Sequence, residues 1–238
     1  EYDESKKSKV TVYGLIDILA HYKFTIEENT PIEEEVALDP ELLGKVFENL
    51  LASYNPETHA TARNQTGSFY TPREIVNYMV DESLKGYLKQ KLVENKTMTS
   101  EDADVALGFL FEYNEKEHLF NKKQVTAIIA AIDSCKVLDP ACGSGAFPMG
   151  VLQKLIHILR KIDHDNKQWF EIVIGKFPAS AQNAMRAKLE NENWDYVRKL
   201  GIIQECIYGV DIQPIAIQIS KLRFFITLLV DQNEKPGA

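Results

Sequence analysis

"VLDPACGSGAF", residues 137–147, decides how this chain is read. Val137 and Leu138 form a strand-like apolar lead. Asp139-Pro140 stops it, and two glycines flank one serine before a helical pattern begins. In an open parallel sheet, ligands bind where strands end and helices begin. Glycine lets the backbone take positive φ there and come close to a ligand. An acid ahead of the glycines suits a cationic ligand better than a pyrophosphate. A dinucleotide fingerprint also needs G-x-G-x-x-G, and here Gly143-Ser144-Gly145-Ala146-Phe147 runs into Pro148, so the third glycine is absent. Taken alone, the stretch is also satisfied by a glycine turn that Asp139 merely caps.

Working outward, "NKKQVTAIIAAIDSC" reads as a helix that delivers the chain into "KVLDP", a short buried strand. "AFPMGVLQKLIHILRKID" follows as an amphipathic helix that tolerates Pro148 in its first turn. Residues 163–205 read as a helical insertion. "IYGVDI" is a second short strand that ends at Asp211, and "PIAIQISKLRFFITLLV" is a third strong helix. Strand–helix repeated with short apolar strands predicts an α/β fold, a parallel sheet covered by helices. Asp211 sits where a carboxylate accepts hydrogen bonds from ribose hydroxyls, though an Asp capping the helix near Pro214 explains it as well.

Upstream, "YTPREIVNYMVDESLKGYLKQKL" predicts a long helix, with Thr71 and Glu74 as a capping box and Pro72 at its first position. "TSEDADVALGFLFEYN" predicts a shorter helix capped at Ser100 or Asp102. "DPELLGKVFENLLASY" predicts a helix through Tyr54, and "NPETHATARNQTGS" a polar loop. The opening "VTVYGLIDILAHY" suits strand or helix, and "EENTPIEEEVALDP" reads as an acidic loop. Two aromatics, Phe69 and Tyr70, stand before the long helix, as core filler or as part of a ligand site.

Three stretches together, "GSFYTP", "DPACGSGAF" and "GVDI", resemble in this order the cofactor motifs of the amino-group DNA methyltransferases that make N6-methyladenine. They resemble the circularly shifted, gamma-type branch, in which the "YTP" motif precedes the glycine motif. "LDPELLGKVFENLLASYNPETHATARNQTGSFYTP" is similar to the segment ahead of the methyltransferase in large bacterial restriction–modification polypeptides, where endonuclease and methylase share one chain (the type IIG-like arrangement). The resemblance covers roughly residues 25–95, 130–155 and 205–230.

It implies a Rossmann-like S-adenosyl-L-methionine-dependent methyltransferase sheet, here incomplete. Residues 1–66 would be a mainly helical lead and 67–238 the N-terminal part of the methyltransferase domain. Phe69, Tyr70 and Thr71 would contact the methionine end of the cofactor. Asp139 would hold its ammonium group, directly or through water. Pro140, Ala141, Gly143, Ser144, Gly145 and Phe147 would line the cofactor. Asp211 would bind the ribose hydroxyls and Ile212 would pack on the adenine ring.

The family's catalytic motif is an Asn/Asp/Ser-Pro-Pro-aromatic sequence. It holds the amino group of a base that has left the duplex. No Pro-Pro occurs in this chain, and Asn55-Pro56 is followed by Glu57. The expectation is therefore the cofactor-binding part of a site-specific adenine methyltransferase, truncated before its catalytic loop and inactive alone. Alternatives are a cofactor-binding module that regulates a restriction endonuclease, a methyltransferase acting on RNA or protein, and a nicotinamide enzyme.

Composition sets the frame. The chain has 238 residues, 45% hydrophobic and 26% charged, with net charge −8. That balance argues against a large DNA face on this segment, since phosphate binding needs clustered Lys and Arg. Double-stranded DNA would be met mostly through other regions, with a fused or associated endonuclease as partner. No run approaches the ~20 apolar residues of a membrane span and the N-terminus has no signal-peptide layout, so a cytoplasmic place is expected. Cys135, Cys142 and Cys206 fit no zinc pattern and read as reduced thiols near the core. No metal is expected at His157 and His164, and His59 reads as solvent-facing. Lys85–Lys91 reads as a solvated helix face, and Trp169 and Trp194 as packing anchors.

Overall fold

The computed structural model describes residues 71–114 and 117–232. It also describes four two-residue strands before them: β1 (Tyr2–Asp3), β2 (Ser8–Lys9), β3 (Tyr54–Asn55) and β4 (Ala60–Thr61). The expected helix 39–54, His59, Phe69 and Tyr70 lie outside the described residues, apart from Tyr54. There β3 pairs antiparallel with β4 (Tyr54↔Thr61, Asn55↔Ala60), inside a stretch expected to be helix end and loop. Asn55 precedes Pro56, and the residue before a proline is pushed from helix towards extended backbone.

From residue 73 onward the order is α1 (Arg73–Glu94), α2 (Ser100–Phe111), α3 (Lys122–Ser134), β5 (Val137–Asp139) and α4 (Ala146–Ile162). Then come α5 (Lys167–Gly175), α6 (Ala179–Leu189), α7 (Trp194–Glu205), β6 (Ile207–Gly209) and α8 (Pro214–Gln232). β5 and β6 pair in parallel, Val137 with Ile207 and Asp139 with Gly209. The described fold is mostly helical around this small sheet, which is consistent with an incomplete α/β fold. Three helices fill residues 167–205, where helices were expected.

Sequence periodicity explains the packing. Val76, Val80, Leu84, Leu88 and Leu92 bury one stripe of α1, every fourth residue. That stripe lies close to α4 at Gly150, where an added Cβ would come within 2.8 Å of Val76 Cγ1. α4 itself is buried on almost every side, through Met149, Leu152, Leu155, Ile156, Ile158, Leu159 and Ile162. Trp169 is 1% exposed and packs over Gly201, whose added Cβ would meet its ring at 3.1 Å. Trp194 sits edge-on to His164, with centroids 6.1 Å apart.

Helix starts differ from expectation. α1 begins one residue late: Pro72 is its N-cap with ψ 144°, its carbonyl takes the amides of Ile75 and Val76, and no side chain caps the helix. The Thr71–Glu74 box therefore does not form. Proline's fixed φ is shared by helix and extended backbone, so it does not settle which side of the boundary it occupies. α2 is capped by Thr99, whose Oγ1 accepts the Asp102 amide at 3.2 Å, and not by Ser100 or Asp102. A full capping box does form at Asn121 and Gln124, before α3.

The strands also depart from the fully buried reading. Val137 and Ile207 pack inward on the helices, but Leu138 is 62% and Tyr208 45% exposed. Side chains alternate across a strand, and among the described residues helices cover one face. α8 is mixed, with Ala216 and Ile219 buried and Phe224 against the core. Its buried side carries Ser220, Arg223, Thr227 and Asp231, while Leu222, Phe225 and Leu229 face outward. Lys199 of α7 meets that polar stripe, with an ion pair to Asp231 at 2.6 Å and a bond to the Thr227 carbonyl.

Exposed charges behave as a solvated surface. Lys85, Lys89 and Lys91 pair with Glu82, Asp104 and Glu94. At the α4–α7 contact, burial alone would raise the Asp195 carboxyl, but the Arg160 and Arg198 guanidinium groups hold it below the usual carboxylate range. Arg198 also donates to the carbonyls of Asp163 and His164. All three cysteines are free and buried. Burial pushes the Cys206 thiol up to about 12. Among the described residues no helix is long and apolar enough to cross a membrane.

The end of α2 is capped from α4. Lys161 donates to the Phe109 and Glu112 carbonyls, and His157 Nε2 donates to the Glu112 carbonyl at 3.1 Å under the Tyr113 ring. Burial, with Lys154 and Lys161 nearby, lowers His157 to about 4. The native ring thus stays neutral where an unfolded histidine takes a proton. Stability should then fall as pH drops from about 6.5 towards 4. Urea midpoints at pH 7, 6 and 5 should show this fall, and His157→Gln should flatten it; equal slopes would disprove the assignment.

Candidate functional site

The site is built where β5 and β6 end side by side. The ladder continues past the strands: Val210 donates to the Asp139 carbonyl at 2.9 Å and Cys142 to the Val210 carbonyl at 3.0 Å. Asp139 is the last residue of β5, as expected. β6 ends at Gly209, so Asp211 lies two residues beyond its strand, not at its end.

The glycine turn takes the conformations its sequence allows. Gly143 has φ +52° and Gly145 φ +90°, both in the left-handed region that L side chains avoid. Gly145 donates to the Cys142 carbonyl and serves as N-cap of α4, accepting the Met149 amide. The two glycines face different surroundings. An added Cβ at Gly145 would sit 2.5 Å from Ser220 Oγ and 3.2 Å from its Cβ, whereas one at Gly143 would meet nothing within 4 Å. Gly145 is a packing requirement and Gly143 leaves an open approach.

The carboxylates divide their work. Asp139 Oδ1 accepts the Ala141 amide at 3.0 Å, folding the turn back on the strand end. Its Oδ2 is buried and, among the described residues, accepts no hydrogen bond. Asp211 Oδ2 accepts the Gly143 amide at 2.9 Å, and Oδ1 the Gln213 amide at 2.8 Å. Asp211 therefore ties the second strand to the glycine turn and also shapes the start of α8. Each carboxylate oxygen has a second lone pair for a further donor.

Of the other expected site residues, Thr71 is half-buried just before α1, and no hydrogen bond joins it to the turn among those described. Pro140 and Ala141 are exposed, Ser144 is 4% exposed, and Phe147 packs on the core from the first turn of α4. Ile212 is 84% exposed beside Asp211. Cys142 is buried beneath the turn. Burial, then the charges of Asp139 and Asp211, raise its thiol, which suits packing and not nucleophilic chemistry. Gly209 makes room for it, since an added Cβ there would lie 2.9 Å from Cys142 Sγ.

Arg223 was not among the expected residues. It is 5% exposed in α8, and its guanidinium donates to the Ser144 carbonyl at 2.9 Å. The signal was present: Ser220, Arg223, Thr227 and Asp231 recur at helical spacing within a largely apolar run. Among the described residues no group of three His, Cys, Asp or Glu side chains could hold a metal ion. An open groove of about 780 Å³ lies between α1, α2 and α3, lined by Met98, Val105 and Leu119 among others, and shares no residue with the glycine turn.

This chain is 29% identical, over 228 residues and 94% of its length, to a Methanocaldococcus jannaschii protein whose name proposes a type II restriction enzyme and methyltransferase. The chain spans 17% of that protein's length. No family model matches the chain, and no solved structure matches it.

The geometry separates the two glycines by experiment. Gly145→Ala should destabilise the fold by about 1–3 kcal/mol, because φ +90° and the Ser220 contact both oppose a Cβ. Gly143→Ala should cost about 1–2 kcal/mol, from backbone handedness alone. Denaturant midpoints rank them, and a larger loss at Gly143 would contradict the packing described. Asp211→Ala should also lower stability, through two amides left without an acceptor, with Asp211→Asn recovering part of it.

Proposed function

We propose that this chain is the S-adenosyl-L-methionine-binding part of a restriction–modification methyltransferase, one that methylates the N6 amino group of adenine in double-stranded DNA. The observation that carries the reading is the buried Oδ2 of Asp139, which accepts no hydrogen bond among the described residues, beside a turn whose open side is lined by Gly143. A buried carboxylate oxygen without a donor is costly unless a ligand supplies one, and an ammonium group is a strong donor for it. The similarity to a protein named for both restriction and methyltransferase activities supports the same reading.

The residues fit the cofactor as follows. Asp139 would accept the ammonium through Oδ2 while Oδ1 keeps the turn folded. Asp211 would accept ribose hydroxyls through its remaining lone pairs while still holding the Gly143 amide. Gly143 would keep side-chain atoms away from the sugar, and Ile212, already outward-facing, would cover the adenine ring. Phe69, Tyr70 and Thr71 would close the methionine end. When bound, the cofactor supplies an electrophilic methyl group on a sulfonium centre. The residues that hold the acceptor base would come from polypeptide outside these 238 residues. An endonuclease on the same polypeptide, and DNA contacts mostly outside this segment, belong to the same proposal.

Calorimetric titration tests it. The folded chain should bind S-adenosyl-L-methionine, and NAD should give no comparable thermal shift. Asp139→Ala should weaken binding by roughly tenfold or more, the scale of a charge-assisted hydrogen bond. Gly143→Ala should weaken binding more than its small stability loss accounts for. Absence of binding by a folded sample, or equal binding by Asp139→Ala, would overturn the reading.

A further inference from the structure

We propose that Arg223 is a positioning residue for the glycine turn: from α8 it clamps the Ser144 carbonyl, and with it the Gly145 amide of the same peptide group, and so sets the open side of the site. The consequence for ligand affinity rests on the S-adenosyl-L-methionine reading above; the clamp itself does not.

The argument begins with the backbone. Ser144 lies between two glycines of positive φ, one residue ahead of the N-cap of α4, and its carbonyl accepts from inside the protein. Ser144 is 4% exposed, so water does not satisfy that carbonyl, and a buried carbonyl needs a donor. Arg223 supplies one at 2.9 Å. Its charge persists at any working pH, and its planar group presents several donors from a fixed direction. Ser220, one turn earlier on the same face of α8, packs directly on Gly145. The turn is thus held at two adjacent points by one helix, while Asp211, just ahead of that helix, takes the Gly143 amide. Without the Arg223 donor the Ser144 peptide gains by rotating towards solvent. That rotation moves the neighbouring Gly143 and Gly145 out of the geometry that leaves Asp139 Oδ2 available. Arg223 makes no proposed ligand contact, so its effect travels through the turn.

The test compares Arg223→Met and Arg223→Lys with the unaltered full chain, by hydrogen exchange and by S-adenosyl-L-methionine titration. Arg223→Met should speed amide exchange within residues 141–147 by roughly tenfold, the scale of one unsatisfied buried carbonyl, with α1 to α3 unchanged. It should weaken cofactor binding by a similar factor, and Arg223→Lys should recover part of both. Should Arg223→Met fail to fold, Arg223→Lys carries the same comparison, with smaller local increases. Wild-type exchange in 141–147 for Arg223→Met, or for Arg223→Lys where only that variant folds, overturns the clamp, as does a uniform rise across α8 and the core. If the unaltered chain binds no cofactor, the cofactor reading falls, and the local exchange pattern still decides the clamp.

Discussion

A helix buried on almost every side cannot shift without opening the core, and α4 is that helix. Its contacts with α1, α2, α3 and α7 hold it in place, and Gly150 brings it close against Val76. The first residue of α4 follows directly on Gly145, so whatever fixes α4 also fixes the glycine turn. The small parallel sheet is attached to this scaffold, with Val137 and Ile207 on the helices. The candidate site is therefore rigid on its helical side and open at the ends of two strands.

Within that frame the acids act as structure before they act on any ligand. Asp139 and Asp211 each accept backbone amides, and those bonds define the turn. A ligand arriving at this place would meet carboxylates already oriented, one of them with a buried oxygen that has no donor among the described residues. Burial, and then their negative charge, raises the thiol of Cys142 beneath them.

The polar stripe on the buried side of α8 follows from what that helix supports. Its inner side meets the Ser144 carbonyl and Lys199, so Ser220, Arg223, Thr227 and Asp231 belong there beside Ala216 and Ile219, while Leu222, Phe225 and Leu229 face outward. A helical period alone marks two faces without saying which is inside. On α8 the inside is mixed, because part of what lies beneath the helix is polar.

Local sequence determined the strand–turn–helix at residues 137–162, the second strand and helix, the long helix after Pro72 and the helices of 163–205. Periodicity, glycine and proline act over a few residues, so a chain carries those signals without its fold. The motif residues Asp139, Gly143, Gly145 and Asp211 were legible for the same reason. Tertiary structure decided the rest. Gly143 and Asp211 are 68 residues apart, and Ser144 and Arg223 are 79 apart, so no local pattern pairs them. The start of α1, the exposed faces of Leu138 and Tyr208, and the buried polar stripe of α8 likewise depend on which neighbours arrive. A hydrogen-bond partner or a covering surface exists only once distant segments have packed.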